Sequence, residues 1–332
     1  MRGVDGVRGC GIKGLGVSVP PVRLTNYDLE KMVETSDEWI VERTGIKERR
    51  LVTPEMATSD LAAQASLMAL EDAGVAPQDV DLVIVASASP DMLFPATACL
   101  VQAKIGATRA ACFDMEVGCT GFVYALVVGS QFVKTGLYDN VLVVGAETLS
   151  RIVNWEDRNT CVLFGDGAGA AVLSPVEEGR GIIGTHLGAD GSAADLLRLP
   201  AGGSRLPASH ETVDAGLHYV HMDGKAVFKF AVKAMNSAVQ AVLNQCGKTS
   251  QDVDLLIPHQ ANLRIIDSAC QYLGIPRHKV VVNIDRYGNT SSASVPIALW
   301  EAVKEGRVNE GDFLVLVAFG AGLSWGSVAM TW

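Results

Sequence analysis

The feature that most constrains this chain is that it echoes itself. Val80-Asp-Leu-Val-Ile84 returns as Val253-Asp-Leu-Leu-Ile257, and Val141-Leu-Val-Val-Gly145 is answered by Phe313-Leu-Val-Leu-Val317 at nearly the same spacing. Gly118-Cys-Thr-Gly-Phe-Val-Tyr-Ala-Leu126 stands in the first half where Gly288-Asn-Thr-Ser-Ser-Ala-Ser-Val-Pro-Ile-Ala-Leu299 stands in the second. An offset near half of 332 residues implies a duplicated unit, with halves at 1–174 and 175–332. The joint falls in Ser174-Pro-Val-Glu-Glu-Gly-Arg180, whose composition reads as a loop. Two copies of one unit pack about a pseudo-twofold axis, so a site is expected where equivalent loops meet.

Short, almost wholly apolar runs predict buried strands over Val80–Ala86, Val141–Gly145, Gly169–Leu173, Val253–Ile257, Val280–Ile284 and Phe313–Ala318. Between them, Ser59 to Ala73 starts at a Ser/Asp cap signal and stops before Gly74, with Leu61, Ala65 and Met68 on one face. The segment after Cys119 carries Phe122, Ala125, Leu126, Gly129, Phe132 and Val133 at helical spacing, with Val123, Val127 and Val128 on other faces. It reads as a helix buried all round. Alternating strands and helices give a layered α/β protein. Residues 188–222, rich in Gly, Ala, Ser, Pro and His, read as an irregular insertion over the site.

Composition removes several classes. Apolar residues make up 48% and charged residues 19%, which excludes a disordered chain or a coiled coil. Lys and Arg number 27 against 37 Asp and Glu, a net charge of −10, so no nucleic acid partner is expected. No apolar run reaches the roughly 18 residues of a spanning helix, so no membrane partner is expected either. Met1 to Pro20 lacks the unbroken apolar core of a signal peptide. The seven cysteines show no CxxC spacing, so neither a disulfide frame nor a metal site is indicated. A reducing cytoplasm fits this usage.

Three residues stand where chemistry could occur. Cys119 follows Asp114-Met-Glu-Val-Gly118, where a β-like run ends and a helix opens, an arrangement resembling a nucleophile elbow. A helix N-terminus carries about half a positive charge and stabilises a thiolate. The plain alternative is a small buried residue at a tight turn. His259, in Pro258-His-Gln-Ala-Asn262, lies just past a strand end, where open α/β sheets place ligands. Asn289 occupies in the second repeat the place of Cys119 in the first, so the two should face each other across the axis. Phe319-Gly-Ala-Gly-Leu-Ser-Trp-Gly326 is a glycine-rich bend able to lend an N–H to an oxyanion. Phe164-Gly-Asp-Gly-Ala-Gly-Ala170 runs into a strand, which argues against a dinucleotide fingerprint. A converging Cys, His and Asn point to acyl transfer through a thioester.

Five motifs in order complete the pattern: Thr35-Ser-Asp-Glu-Trp-Ile-Val-Glu-Arg-Thr-Gly-Ile46, Gly118-Cys-Thr-Gly-Phe122, Phe164-Gly-Asp-Gly-Ala-Gly-Ala-Ala-Val172, Pro258-His-Gln-Ala-Asn-Leu-Arg264 and Tyr287-Gly-Asn-Thr-Ser291. From about Gly11 to Trp332 the chain closely resembles the β-ketoacyl-acyl carrier protein synthase III family of thiolase-fold condensing enzymes. The resemblance implies a thiolase-like five-layer αβαβα fold and a homodimer. It implies a decarboxylative Claisen condensation of a short acyl-CoA, acetyl-CoA first, with malonyl-acyl carrier protein, giving a 3-oxoacyl product that begins fatty-acid synthesis. No cofactor would be held permanently, coenzyme A arriving as the substrate thioester. Cys119 would carry the acyl group, and a neutral His259 and Asn289 would donate to the malonyl thioester oxygen. The backbone N–H groups of Cys119 and Ala321 would form the oxyanion hole.

The same resemblance assigns coenzyme A to Trp39, Arg43, Arg158, Gly224 and Asn262, with the adenine between Trp39 and Arg158. It assigns the acidic carrier protein to Gln260, Ala261, Asn262, Leu263, Arg264 and Lys229. Phe94 would cross the dimer interface to close the partner's acyl pocket. The sequence departs from the family at Ala321, where glycine is usual, at Glu116, where a small residue is usual, and at Gln271 and Tyr272, where some members carry lysines. Arg277 and Lys279 stand nearby as substitutes. Two other readings are a condensing enzyme of polyketide or secondary metabolism with another primer, and a non-catalytic acyl-CoA or carrier-protein binding protein. The second would not need Cys, His and Asn together.

Overall fold

The computed structural model describes residues 8–332; residues 1–7, which the leader reading and the N-terminal half include, lie outside the described residues. The main sheet comprises β1 (Gly9–Ser18), β2 (Leu82–Ala86), β3 (Ala111–Met115), β4 (Val141–Glu147), β5 (Gly167–Val176), β6 (Gly181–Ala189), β7 (Leu255–Pro258), β8 (Phe313–Gly320) and β9 (Ser324–Thr331). Their order is β7-β8-β9-β6-β1-β5-β4-β2-β3. At its middle, β1 and β6 meet through one pair, Cys10 with Gly181. Outward from that pair the two sides run β1-β5-β4-β2-β3 and β6-β9-β8-β7, the same path except that the second side is one strand short. Strands β2 and β4 are parallel, as are their counterparts β7 and β8.

Among the described residues seven helices have eight residues or more: α1 (Asp37–Thr44), α2 (Thr58–Ala73), α3 (Thr97–Ile105), α4 (Gly121–Lys134), α5 (Gly224–Gln245), α6 (Leu263–Leu273) and α7 (Ser294–Lys304). Alternation along each strand decides the layers, since successive side chains point to opposite faces. Leu82, Ile84 and Ala86 of β2 join Leu314, Leu316 and Ala318 of β8 in one core that also contains α4 and α7. Val83 and Val85 turn the other way, into a core shared with α2 and α3. Val315 and Val317 turn into a third core with α5 and α6. The result is the five-layer αβαβα fold, with α4 and α7 as its middle layer. Both faces of the central strands are covered, which is why they read as apolar throughout rather than alternating.

The structure corrects several sequence readings. Val280–Ile284 is not a strand. Val280 makes a single bridge to Leu256, and a short helix begins at Ile284. The Gln260 side chain takes the place of a neighbouring strand: its Nε2 donates to Val281 O, and its Oε1 accepts from Asn283 N at 3.0 Å. The loop expected over 174–180 is shorter, because Ser174, Pro175 and Val176 continue β5 by pairing with Gly11, Cys10 and Gly9. Helix α2 starts one residue early, and its Asp60 carboxylate accepts from the N–H of Ala57 at 2.8 Å. Leu61 and Ala65 face the core, but Met68 is exposed. Helix α4 seals Phe122, Val123 and Leu126, but Gln131 on its outer face is exposed.

Candidate active site

Strand β3 ends at Met115, and the chain turns through Gly118, whose φ of 51° suits glycine. A single 3-10 turn over Gly118–Thr120 then leads into α4. This elbow presents Cys119, 9% exposed, at the start of the middle-layer helix. Thr120 Oγ1 shares a hydrogen with Ser324 Oγ at 2.6 Å, tying the turn to β9. Glu116 has a definite local role: its Oε1 accepts from Gly118 N at 3.1 Å, immediately before the nucleophile.

The expected thiolate is not the resting form. Burial pushes the Cys119 thiol up to about 12. Hydrogen bonding from Ser291 opposes this, while the Glu147 and Glu116 carboxylates add to it. Desolvation of this buried thiol is the largest of these contributions.

His259 lies just past β7, 1% exposed, with its backbone N–H on Val317 O at 2.8 Å. Its Nδ1 is 2.6 Å from Ser294 Oγ, while its buried Nε2 has no partner. Phe319 meets the ring edge-on, centroids 5.3 Å apart. Burial holds the imidazole down at about 3, so it is neutral at physiological pH. Asn289 is held by its own backbone: its N–H donates to Leu163 O, and its carbonyl accepts from Gly165 N. Its Oδ1 accepts from Ser291 N at 2.8 Å. That contact orients the amide, leaving Nδ2 as the free donor. Ser291 achieves it at φ 48°, the one non-glycine residue with positive φ among the described residues.

Cys119, His259 and Asn289 line one small cavity of about 80 Å³ with Phe319. Cys119 also lines a larger, mainly apolar cavity of about 520 Å³ on its other side, with Ala321, Leu149, Phe164, Leu197 and Val220. Leu197 and Val220 come from the irregular segment 188–222, which therefore covers the site. The nucleophile stands between the small chamber that holds His259 and Asn289 and the larger apolar one.

Beneath this site Glu147, fully buried at the end of β4, joins the two halves. Its oxygens accept from Ser89 Oγ at 2.6 Å and Ala88 N at 3.1 Å in the first half. They also accept from Ser292 Oγ at 2.8 Å in the second. Burial raises its pKa above the usual carboxyl value despite these donors. Sequence reading missed Glu147, Ser291 and Ser294. Locally, Ser291 and Ser294 have the composition of an ordinary turn and helix cap, and nothing local marks a strand-end glutamate as a bridge between repeats.

Around the mouth, Trp39 of α1 is flanked by two guanidinium groups, Arg158 at 5.6 Å and Arg43 at 5.7 Å from its ring centroid. Arg158 also donates to Glu34 O at 2.9 Å. Gly224 opens α5 and, with Ala261 and Asn262, borders the smaller cavity. The Asn262 amide is engaged at both ends, donating to Arg43 O and accepting from Arg264 N as the cap of α6. Arg264 and Lys229 are exposed, with Arg264 over the Phe228 ring at 5.6 Å, and Leu263 is half-buried. Gln260 is a correction to the docking set. It is 1% exposed, and its amide is committed to Pro258, Val281 and Asn283, so no carrier protein can touch it. Arg277 pairs with Asp267 and Lys279 donates to Val253 O, so both nearby cations already have partners. Phe94 is 84% exposed beside Leu93 and lines neither cavity, which excludes core packing. Among the described residues, no helix is long and apolar enough to cross a membrane.

Comparison with known proteins adds a second line. Residues 113–191 match the family model for 3-oxoacyl-[acyl-carrier-protein (ACP)] synthase III, and residues 243–332 match the model of its C-terminal part. The beta-ketoacyl-[acyl-carrier-protein] synthase III of Caldanaerobacter subterraneus subsp. tengcongensis is 61% identical over 322 residues, covering 97% of each chain. The crystal structure of 3-oxoacyl-[acyl-carrier-protein] synthase III from Aquifex aeolicus VF5 superimposes with a TM-score of 0.91 at 47% identity, over 98% of this chain and 100% of that one. The priming β-ketosynthase of the R1128 polyketide pathway superimposes with a TM-score of 0.92 at 35% identity, over 99% of this chain and 98% of that one.

Proposed function

The chain belongs to the 3-oxoacyl-[acyl-carrier-protein] synthase III family, and on that premise we propose how its own residues carry out the condensation. It is an acyltransferase that joins a short acyl-CoA, acetyl-CoA first, to malonyl-acyl carrier protein with loss of CO2, yielding a 3-oxoacyl-carrier protein for fatty-acid synthesis. The observation that carries the assignment of roles is the convergence of Cys119, a neutral His259 with a free Nε2 and an oriented Asn289 on one chamber.

Acylation comes first. The Cys119 sulfur bonds to the acyl carbon, the bond to the coenzyme A sulfur breaks, and the thiol proton ends on the departing coenzyme A. The acyl group lies in the larger apolar cavity. Trp39 and Arg158 hold the adenine, Arg43 the phosphates, and Gly224 and Asn262 border the pantetheine. The carrier protein then docks on Arg264 and Lys229, with Leu263 and Ala261 beside them. As malonyl loses CO2, negative charge develops on its thioester oxygen. His259 Nε2 and Asn289 Nδ2 donate to that oxygen, each worth about 3 kcal/mol to the transition state. The enolate carbon attacks the acyl-cysteine, whose oxygen takes charge at the N–H groups of Cys119 and Ala321. That attack forms the new carbon–carbon bond; collapse of the tetrahedral intermediate breaks the carbon–sulfur bond and releases Cys119 as a thiolate, which takes up one proton from water to restore the thiol.

A duplication joint after Val176, where β5 ends, and a homodimer complete this reading. Met92, Leu93 and Phe94 form an exposed apolar prominence suited to a partner's acyl pocket. The test is intact mass spectrometry after incubation with a panel of short acyl-CoAs, beside Cys119→Ser. One acyl increment on the native protein, absent from the variant, is the expected result and names the primer. No increment from any acyl-CoA would overturn the reading in favour of a binding protein or an enzyme fed wholly by carrier protein. The likeness to a priming β-ketosynthase of a polyketide pathway is the reason the panel extends beyond acetyl-CoA.

A further inference from the structure

A neutral imidazole carries one hydrogen, and only one of its two forms can donate from Nε2. His259 is neutral, because burial holds it far below physiological pH. The question is what places that hydrogen, and the answer lies in the hydroxyl against Nδ1. Ser294 Oγ makes two contacts among the described residues, with His259 Nδ1 at 2.6 Å and with the N–H of Gln260 at 3.4 Å. A backbone N–H can only donate, so toward Gln260 the serine oxygen accepts. Its own hydrogen then has a single acceptor within reach, His259 Nδ1.

The opposite arrangement fails on both sides. With the hydrogen on Nδ1, the serine would accept it too, and the serine hydrogen would be stranded in a buried site. Nε2 would become a bare lone pair facing the oxygen it should stabilise. An unsatisfied buried polar group is costly, so the first arrangement wins. Phe319, edge-on to the ring, limits its rotation and so keeps Nδ1 on the serine. We infer that Ser294 is a positioning residue that fixes the Nε2–H form of His259 and thereby aims its single hydrogen into the chamber shared with Cys119 and Asn289.

This rests on the condensing role proposed for His259, and the experiment separates the two. Nitrogen-15 histidine spectra of the native enzyme, assigned with His259→Gln, report directly which ring nitrogen carries hydrogen. The expected result is Nε2. Ser294→Ala and Ser294→Thr are then followed in two assays: acylation of Cys119 by acyl-CoA, read by mass, and full condensation with malonyl-carrier protein. Ser294→Ala should acylate at a rate close to native and slow condensation on the order of 100-fold, the cost of one misplaced oxyanion donor. The loss should fall on kcat rather than on the KM for malonyl-carrier protein. Its spectrum should show hydrogen moving to Nδ1. Ser294→Thr keeps the hydroxyl and should restore both spectrum and rate. Native protein with hydrogen on Nδ1, or native condensation by Ser294→Ala, overturns the inference while leaving the acyl-enzyme reading intact. Loss of acylation in the native enzyme would instead overturn the reading beneath it.

Discussion

Gly320 gives the sharpest test of how the nucleophile is held. It ends β8, directly against the turn that carries Cys119. Its backbone is one that any residue can adopt; only space excludes a side chain. A Cβ built there would lie 2.6 Å from Cys119 N, 3.1 Å from Thr120 N and 3.2 Å from Cys119 Cα. Real contacts of this kind need about 3.0–3.4 Å, so Gly320→Ala must push the backbone of Cys119 by roughly 0.4–0.8 Å. Those atoms are main chain at the head of a buried helix, not the free end of a side chain. Overpacking of this sort costs about 1–3 kcal/mol. The displaced N–H is also half of the proposed oxyanion hole, and misplacement approaching 1 Å costs up to about 100-fold in rate. Gly203→Ala is the control, since a Cβ there meets nothing within 4 Å. The assays are thermal unfolding and the rate of Cys119 acylation by acyl-CoA. Gly320→Ala should melt several degrees lower and acylate about 10- to 100-fold more slowly, while Gly203→Ala matches the native protein. Native stability and rate for Gly320→Ala would refute the close approach of β8 to the nucleophile.

Two further outcomes follow from the same geometry. His259 has a folded value of about 3 against its usual 6.5, so above pH 6.5 it is neutral in both states and adds no pH dependence. Below 6.5 the unfolded chain takes up a proton that the folded chain refuses, and stability falls by up to about 1.4 kcal/mol per pH unit until pH approaches 3. Urea midpoints at pH 7 and pH 5 should converge in His259→Gln relative to native; equal acid sensitivity would refute the neutral buried imidazole. Trp39→Ala removes the platform between Arg158 and Arg43. Base–aromatic stacking is worth about 1–3 kcal/mol, so KM for acyl-CoA should rise roughly 5- to 150-fold with malonyl-carrier protein unaffected, and an unchanged KM would place the adenine elsewhere.

The sequence by itself determined the layered α/β architecture, the repeated order of elements and the three reactive side chains. Apolar runs, a glycine before a helix and an internal echo are local signals, each set by backbone preference or by burial of a strand on both faces. Even so, Val280–Ile284 had every local mark of a strand. The Gln260 side chain took its hydrogen bonds, a contact that no local pattern encodes. What only the tertiary structure decided is how those side chains are set to work. The hydrogen of His259 depends on Ser294, thirty-five residues away. The amide of Asn289 depends on a strained Ser291, and the join between halves depends on Glu147 reaching Ser292. The Cys119 thiol shows the same division. Its place at a helix start was legible and argued for an acidic thiol, but the surrounding protein removes water, and desolvation reverses the sign. Periodicity reports which elements form. Hydrogen positions and charge states depend on the polar atoms that folding brings from distant segments into a dry interior, where each missing partner costs most.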